Sequence, residues 1–504
     1  MPTVTIANIE KRTAVKEFLA RDSMQMLIGG DWVDAISGEQ LETRDPATDD
    51  ILARIPAAGA GDVDRAVRAA RDAFHSGAWS KVTPSERARI LWRAADLLES
   101  HIDELAELET LDQGKPLYVG RWAEIPGAIE QFRYFAAQAT KVEGSTIPTS
   151  INYQPEGKKI FAYTSREPMG VVGAIVPWNS PLVLTTMNIA PALAAGCSVV
   201  LKPAEDTSLT ALRLGELLMQ AGIPAGAFNV ITGYGDQAGA ALAAHDDVDK
   251  ISFTGSTATG RRIIDAAKGN LKKLSLELGG KSPVVILDDA DLDLAIPGAA
   301  NAIFFNAGQV CVAGTRIYAH RSVYDRVVDG LSEAASKMTL GHGLDPATQM
   351  GPLVSRKQLN TVCGYVDRAK TAGATVVTGG EAVGDKGAFC SPGVIVDVTP
   401  DMEIVREEVF GPIVVCSPFD DTDEVIALAN DSSYGLAASV WTESLSSAHR
   451  MASEFHTGTV WINCHAMYDA SLPIGGVKCS GWGKLSGQQA IDNFLDTKTV
   501  CAVI

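Results

Sequence analysis

The chain has 504 residues, with 43 Lys and Arg against 61 Asp and Glu, a formal net charge of −18. One hydrophobic core rarely grows beyond about 250–300 residues, so two or more domains are predicted. Hydrophobic residues at 46% and charged residues at 21% exclude disorder for the bulk of the chain. The acidic balance, with no basic cluster longer than Arg261-Arg262, argues against nucleic acid or an anionic membrane as partner.

At the N-terminus, Glu10, Lys11, Arg12, Lys16, Glu17, Arg21 and Asp22 leave no room for the apolar stretch of a secretory signal, and the acidic residues do not suit a transit peptide. The eight cysteines, at 197, 311, 363, 390, 416, 464, 479 and 501, form no CxxC pair and no regular framework. Reduced thiols in a cytoplasmic setting are expected, and no metal site.

The N-terminal third reads as helical. Asp62 precedes an amphipathic pattern at Ala66, Val67, Ala69, Ala70, Ala73 and Phe74. Thr83-Pro84-Ser85-Glu86 is a helix start, with Thr83 as cap, Pro84 at the first position and Glu86 completing a capping box. Gly114 ends the next helix. Pro168 to Leu201 carries no charge, yet Pro177, Pro181, Pro191 and the polar Trp178-Asn179-Ser180 interrupt it. It reads as strand, loop, buried helix, strand rather than as a membrane span.

From residue 170, short apolar runs at Val171–Val176, Ser198–Lys202, Phe228–Ile231, Lys250–Phe253 and Lys273–Leu278 alternate with helical segments. Such alternation predicts a doubly wound parallel sheet of the nucleotide-binding type. A second α/β series starts near Ser282, with strands at Val284–Leu287, Arg316–His320, Ile413–Pro418, Ala438–Trp441 and Thr459–Asn463. The boundary falls near Gly279-Gly280. The tail Thr497–Val503 could pair with Lys158–Thr164, making edge strands that invite contacts between copies.

Five short motifs stand where chemistry could occur. Phe253-Thr254-Gly255-Ser256-Thr257-Ala258-Thr259-Gly260 opens a helix after a strand; it suits either a phosphate cradle or a tightly packed helix cap. In Lys202-Pro203-Ala204-Glu205 a carboxylate follows a strand end, where it could accept from ribose hydroxyls and repel a 2′-phosphate, or could be a solvated charge pair. Gly308-Gln309-Val310-Cys311 offers a thiol in a glycine-flanked turn, either a nucleophile or an inert buried cysteine. Leu276-Glu277-Leu278-Gly279-Gly280-Lys281 sets a carboxylate among leucines, a candidate base if desolvated. Pro177-Trp178-Asn179-Ser180-Pro181 holds an amide that could donate to an oxyanion.

Taken together and in this order, with Glu408-Val409-Phe410-Gly411-Pro412, these elements resemble the NAD(P)-dependent aldehyde dehydrogenase superfamily from about residue 25 to the C-terminus. The resemblance implies an α/β fold with a Rossmann-type NAD-binding domain (20–145 and 168–278), an α/β catalytic domain (279–480) and a small β oligomerisation arm (146–167 and 488–504). It implies Cys311 as nucleophile, Asn179 and the Cys311 backbone N–H as oxyanion donors, and Glu277 as the base that activates water on a thioester. It further implies Lys202 and Glu205 at the adenosine ribose, Gly255 and Ser256 at the cofactor with Ser256 on the pyrophosphate, Trp178 near the cofactor, Glu408 on the nicotinamide ribose and Phe410 against the nicotinamide. NAD rather than NADP is expected, and a homodimer or homotetramer.

One departure stands out. Relatives continue Ser-Gly-x-Gly-Arg-Glu, whereas this chain reads Ser480-Gly481-Trp482-Gly483-Lys484-Leu485. Leu485 replaces a carboxylate, so no proton relay through that position is expected. The tunnel positions implied by the resemblance are Ser180, Val183, Leu184, Met187, Phe305, Val310, Val312, His465, Tyr468 and Ile474. They are mostly apolar and include no Arg, no Lys and no aromatic cage, which disfavours carboxylate-tailed aldehydes and betaine aldehyde. The run Trp461–Pro473 looks most like the phenylacetaldehyde dehydrogenase branch, so an apolar, aryl-type aldehyde is expected; aliphatic or amino aldehydes, a CoA-acylating relative and a non-enzymatic NAD-binding protein are the alternatives.

Overall fold

The computed structural model describes residues 10–21, 23–150 and 155–504. Asp22, among the N-terminal charges, and residues 151–154 of the expected arm lie outside the described residues. The uncharged stretch folds as read: strand Val171–Ile175, helix Pro181–Ala195 and strand Ser198–Lys202. Among the described residues no helix is long and apolar enough to cross a membrane.

An eight-stranded sheet runs in the order Gly481–Trp482, Lys273–Glu277, Lys250–Thr254, Val171–Ile175, Ser198–Lys202, Phe228–Val230, Met26–Ile28, Asp31–Val33. Its five central strands are parallel. Chain order reverses at Val171–Ile175, which lies between Ser198–Lys202 and Lys250–Thr254. Ligands bind α/β sheets at the carboxyl ends of the strands beside such a switch point. A second, seven-stranded sheet has the order Thr375–Thr378, Gly393–Val396, Ile413–Phe419, Arg316–His320, Pro283–Ile286, Ala437–Trp441, Thr459–Ile462, parallel except for its first pair.

The tail strand Leu495–Val503 pairs antiparallel with Ile160–Pro168, Thr499 facing Thr164 and Val503 facing Ile160, and Thr146–Ile147 adds a third strand. The predicted partnership of tail and arm therefore forms, a few residues longer than read.

The N-terminal third is not purely helical. Met26–Ile28, Asp31–Val33, Gln40–Arg44 and Ile51–Pro56 are strands, and the first two extend the large sheet antiparallel through a Gly29-Gly30 turn. Three-residue strands carry too little periodicity to read from sequence; the Gly-Gly turn was the only signal. Thr83 Oγ1 caps helix Pro84–Ser100 by accepting from Glu86 N at 3.3 Å, but the Glu86 carboxylate accepts from Arg89 at 2.7 Å, so the box is half formed. The fuller cap belongs to helix Ala60–Ser76, where Asp62 accepts from Gly59 N at 3.1 Å and from Ile36 N at 3.0 Å.

Candidate active site

The motifs sit where four parallel strands of the large sheet end. Val171–Ile175 leads into Trp178-Asn179, Ser198–Lys202 into Glu205, Lys250–Thr254 into Gly255-Ser256, and Lys273–Glu277 ends on Glu277 itself. Parallel pairing in one direction brings these four ends together along one sheet edge.

The cysteine arrives from the other sheet. Asn306, Ala307 and Gly308 take φ of 50°, 53° and 70° in succession. This left-handed turn costs a non-glycine residue roughly 1–2 kcal/mol, so the surroundings must hold it. Gln309, fully buried, does so: its Nε2 donates to Asn306 O at 3.1 Å, and its Oε1 accepts from Val354 N at 2.9 Å. Its carbonyl accepts from Asn179 Nδ2 at 2.9 Å, and Asn306 Nδ2 donates to Asn179 O at 2.9 Å. The amide at 179 is thereby tied to the cysteine loop from both sides.

Two close backbone approaches complete the junction. A Cβ on Gly280 would stand 2.4 Å from Cys311 O, and one on Gly308 2.1 Å from Gly411 O. The Glu277–Lys281, Gly308–Cys311 and Glu408–Pro412 motifs are thus in contact through positions that only glycine can occupy.

Burial dominates the electrostatics of the site. Cys311 is partly exposed, but burial of its thiol, then Glu408 and Glu277, push its pKa up to about 12. Glu277 is raised well above the ordinary carboxyl value by burial, against the opposing pull of Lys484 and the Gly476 N–H. Its Oε1 is buried without a hydrogen-bond partner. Glu408 is raised to about 7 by burial, while Gly280 N donates to its Oε1 at 3.0 Å. Burial thus favours the neutral form of all three groups, and a cation or a reacting carbonyl nearby would favour their ionisation.

The cofactor candidates divide among the strand ends. Lys202 Nζ pairs with Glu205 Oε2 at 2.9 Å, and Gly235 N donates to Glu205 Oε1 at 3.5 Å. Burial raises the Glu205 pKa, but Lys202 outweighs it and the carboxyl rests below its ordinary value. Ser256 caps helix Thr257–Ala267 by accepting from Thr259 N at 3.2 Å. Gly255 leaves no room for a side chain: a Cβ would lie 2.6 Å from the Phe253 ring. A helix start over a glycine, with a charge-fixed carboxylate two strands away, fits a dinucleotide. Trp178 and Phe410 meet edge to face at 5.2 Å, and Gln358 Nε2 donates to Phe410 O at 2.9 Å.

On the substrate side, Val310 and Cys311 pack with Val312, Leu436, Ala437, Trp461, Cys464 and Ala466. Met187 is buried on helix Pro181–Ala195, with Val183 and Leu184 half-buried on its first turn; Phe305 and Ile474 are half-buried too. Val312 is a core residue, buried in that cluster. Tyr468, an exposed side chain, stands edge-on to Trp461. His465 has no free nitrogen: one faces Ser439 Oγ at 3.0 Å and the other Val312 O at 2.8 Å. Burial lowers its pKa to about 4, so it braces the cysteine loop as a neutral ring.

Sequence reasoning missed a buried triad. Lys115 Nζ reaches Glu109 Oε1 at 2.7 Å and Glu124 Oε1 at 3.1 Å; Ser180 Oγ donates to Glu124 Oε1 at 3.0 Å and Leu182 N to Glu109 Oε2 at 3.3 Å. It anchors the turn carrying Asn179. The only sequence signal was an unusual density of charge beside Gly114. Gln309 was also missed, although it lies inside the cysteine motif.

The profile of the Aldehyde dehydrogenase family matches residues 32–500. An NAD+ complex of an aldehyde dehydrogenase from Bacillus cereus superposes with a TM-score of 0.96 at 48% identity, over 99% of this chain and 100% of that one. Phenylacetaldehyde dehydrogenase of Pseudomonas fluorescens is 48% identical over 94% of this chain and 95% of its own. A mitochondrial benzaldehyde dehydrogenase of Antirrhinum majus is 44% identical over 95% of this chain and 89% of its own. By profile, sequence and fold alike, this chain belongs to the aldehyde dehydrogenase family.

Proposed function

We propose that this enzyme oxidises an apolar, aryl-type aldehyde to its carboxylic acid with NAD. The observation that carries the reading is the convergence of three groups from separate segments: the Cys311 thiol, the Asn179 amide fixed to its loop, and the desolvated Glu277 carboxyl. The Cys311 thiol gives its proton to water, and the sulfur then bonds to the carbonyl carbon. The oxygen, now anionic, lies where the Asn179 amide and the Cys311 N–H can donate to it. When bound, NAD supplies the hydride acceptor; Lys202, Glu205, Gly255, Ser256, Trp178, Glu408 and Phe410 would hold it. Loss of hydride leaves a thioester on Cys311. Glu277 takes a proton from water as the water oxygen bonds to the acyl carbon, the C–S bond breaks, and the acid leaves with the thiolate restored.

The apolar cluster around Val310, Cys311 and Trp461 supports an uncharged aldehyde, and relatives named for phenylacetaldehyde and benzaldehyde match 94% and 95% of the chain. The ionised Glu205 favours NAD over NADP. Eight free cysteines fit a reducing cytoplasm, and the arm fits a homodimer or homotetramer. We read residues 20–145 and 168–278 as the cofactor domain, 279–480 as the catalytic domain and 146–167 with 488–504 as the arm. A CoA-acylating role does not need Glu277 and is the weaker reading. The test is kcat/KM with NAD across aliphatic, aryl and amino aldehydes, with the product identified: an aryl preference and a free acid support the proposal, whereas an acyl-CoA product or preference for a cationic aldehyde contradicts it.

A further inference from the structure

Glu277 occupies a pocket hostile to a charged carboxylate, yet its role as base requires ionisation. The segment that closes over it holds a cation. Ile474 and Leu485 exchange reciprocal backbone hydrogen bonds at 2.7 and 2.8 Å, joining the Gly475-Gly476 turn to the run Gly483-Lys484-Leu485. Lys484 Nζ donates to Gly475 O at 2.8 Å, and Asn493 Nδ2 fixes Lys484 O at 2.9 Å. The turn lies directly on the carboxyl: a Cβ on Gly475 would fall 2.7 Å from Glu277 Oε1 and 3.0 Å from Lys484 Cδ. The Gly476 N–H and the opposite charge of Lys484 both favour the ionised carboxyl. The other titratable group facing Glu277 is Cys311, with Glu408 acting on the same thiol. Both are acids and add no positive potential.

We infer that Lys484 is the positioning residue for the deacylation base: anchored on the Gly475 carbonyl, it holds the Gly475-Gly476 turn against Glu277 and supplies a positive charge to that carboxyl. Leu485 next to it carries no ionisable group, so the cation at 484 does this work without a neighbouring carboxylate. The inference rests on Glu277 being the base.

The experiment compares full-length wild type, Lys484→Gln, Lys484→Arg and Glu277→Gln, with NAD and benzaldehyde, by stopped-flow NADH bursts and by the pH profile of kcat. In Lys484→Gln the burst is kept and the steady rate falls. The acidic limb of the profile moves up by about one pH unit, a roughly tenfold loss on that limb, because the Glu277 carboxyl has lost its opposite charge. Lys484→Arg keeps the charge and returns the limb to its wild-type place; this variant carries the test if Lys484→Gln does not fold. KM for NAD stays unchanged in both. A wild-type limb and rate in Lys484→Gln, while Glu277→Gln stalls after its burst, overturns the inference and leaves the base in place. An Arg variant whose limb shifts as far as that of Gln also overturns it. Unimpeded turnover in Glu277→Gln overturns the base assignment itself.

Discussion

Replacing Gly279 by Ala tests how tightly the nicotinamide end is built. Gly279 does not adopt a left-handed backbone, so the change probes space alone. The added methyl would stand 2.1 Å from Glu408 Oε2, 2.6 Å from its Cδ and 2.9 Å from Oε1. Ordinary contact begins near 3.4 Å, so the carboxyl must retreat by more than about 1 Å. That retreat breaks the 3.0 Å hydrogen bond from Gly280 N to Glu408 Oε1. A hydrogen bond to a carboxylate contributes about 1.5–3 kcal/mol, and a misplacement of about 1 Å near the reacting centre costs up to about 10²-fold. We therefore expect kcat/KM for NAD to fall by about 10- to 100-fold in Gly279→Ala, with Cys311 still open to alkylation as a check of the folded site. Kinetic constants within twofold of wild type would show that Glu408 is not held where the cofactor needs it.

Other outcomes follow from the same geometry. Glu205→Gln removes the charge that opposes a 2′-phosphate, and discrimination of NAD over NADP should shrink about five- to tenfold in paired KM measurements; unchanged discrimination would move cofactor selection elsewhere. Alkylation of Cys311 in the free enzyme, followed on its peptide by mass spectrometry, should rise about tenfold per pH unit from about pH 7 to about pH 9, because the neutral thiol titrates only near 12. NAD+, with its cationic ring, should speed that reaction; a plateau at neutral pH without cofactor would refute the reading. Cys363 is the internal contrast, since the neighbouring Cys390 lowers its pKa. The arm exposes Ile147, Phe161, Tyr163, Val503 and Ile504, so truncation after Phe494 should leave a monomer by sedimentation; an unchanged assembly would place the subunit contact elsewhere.

Much of this site was legible because strand ends have simple signatures. Glu277, Glu205, Ser256 and Asn179 all follow short apolar runs, and a parallel sheet must bring such ends to one edge. The pairing of the tail with Ile160–Pro168 was legible for a similar reason, the alternation in the arm. What escaped depends on tertiary context. Asn306 and Ala307 give no sign of a left-handed turn, because neither is glycine, and the turn exists only while Gln309 braces it. Sequence also does not reveal that both nitrogens of His465 are engaged. Glu109, Lys115 and Glu124 carry no motif that marks them in the sequence, yet they pair in the interior. Lys484 drew attention only for the Leu that follows it; its contact with the Gly475 turn arises from two segments nine residues apart folding back on each other.

The central claim is that acyl transfer passes through the sulfur of Cys311. Intact-mass and peptide analysis of Glu277→Gln, quenched during turnover with NAD and benzaldehyde, tests it most directly. A benzoyl adduct on the peptide carrying Cys311, absent when Cys311→Ala is added, is the predicted result. Acylation of another residue, or oxidation that persists in Cys311→Ala, would contradict it.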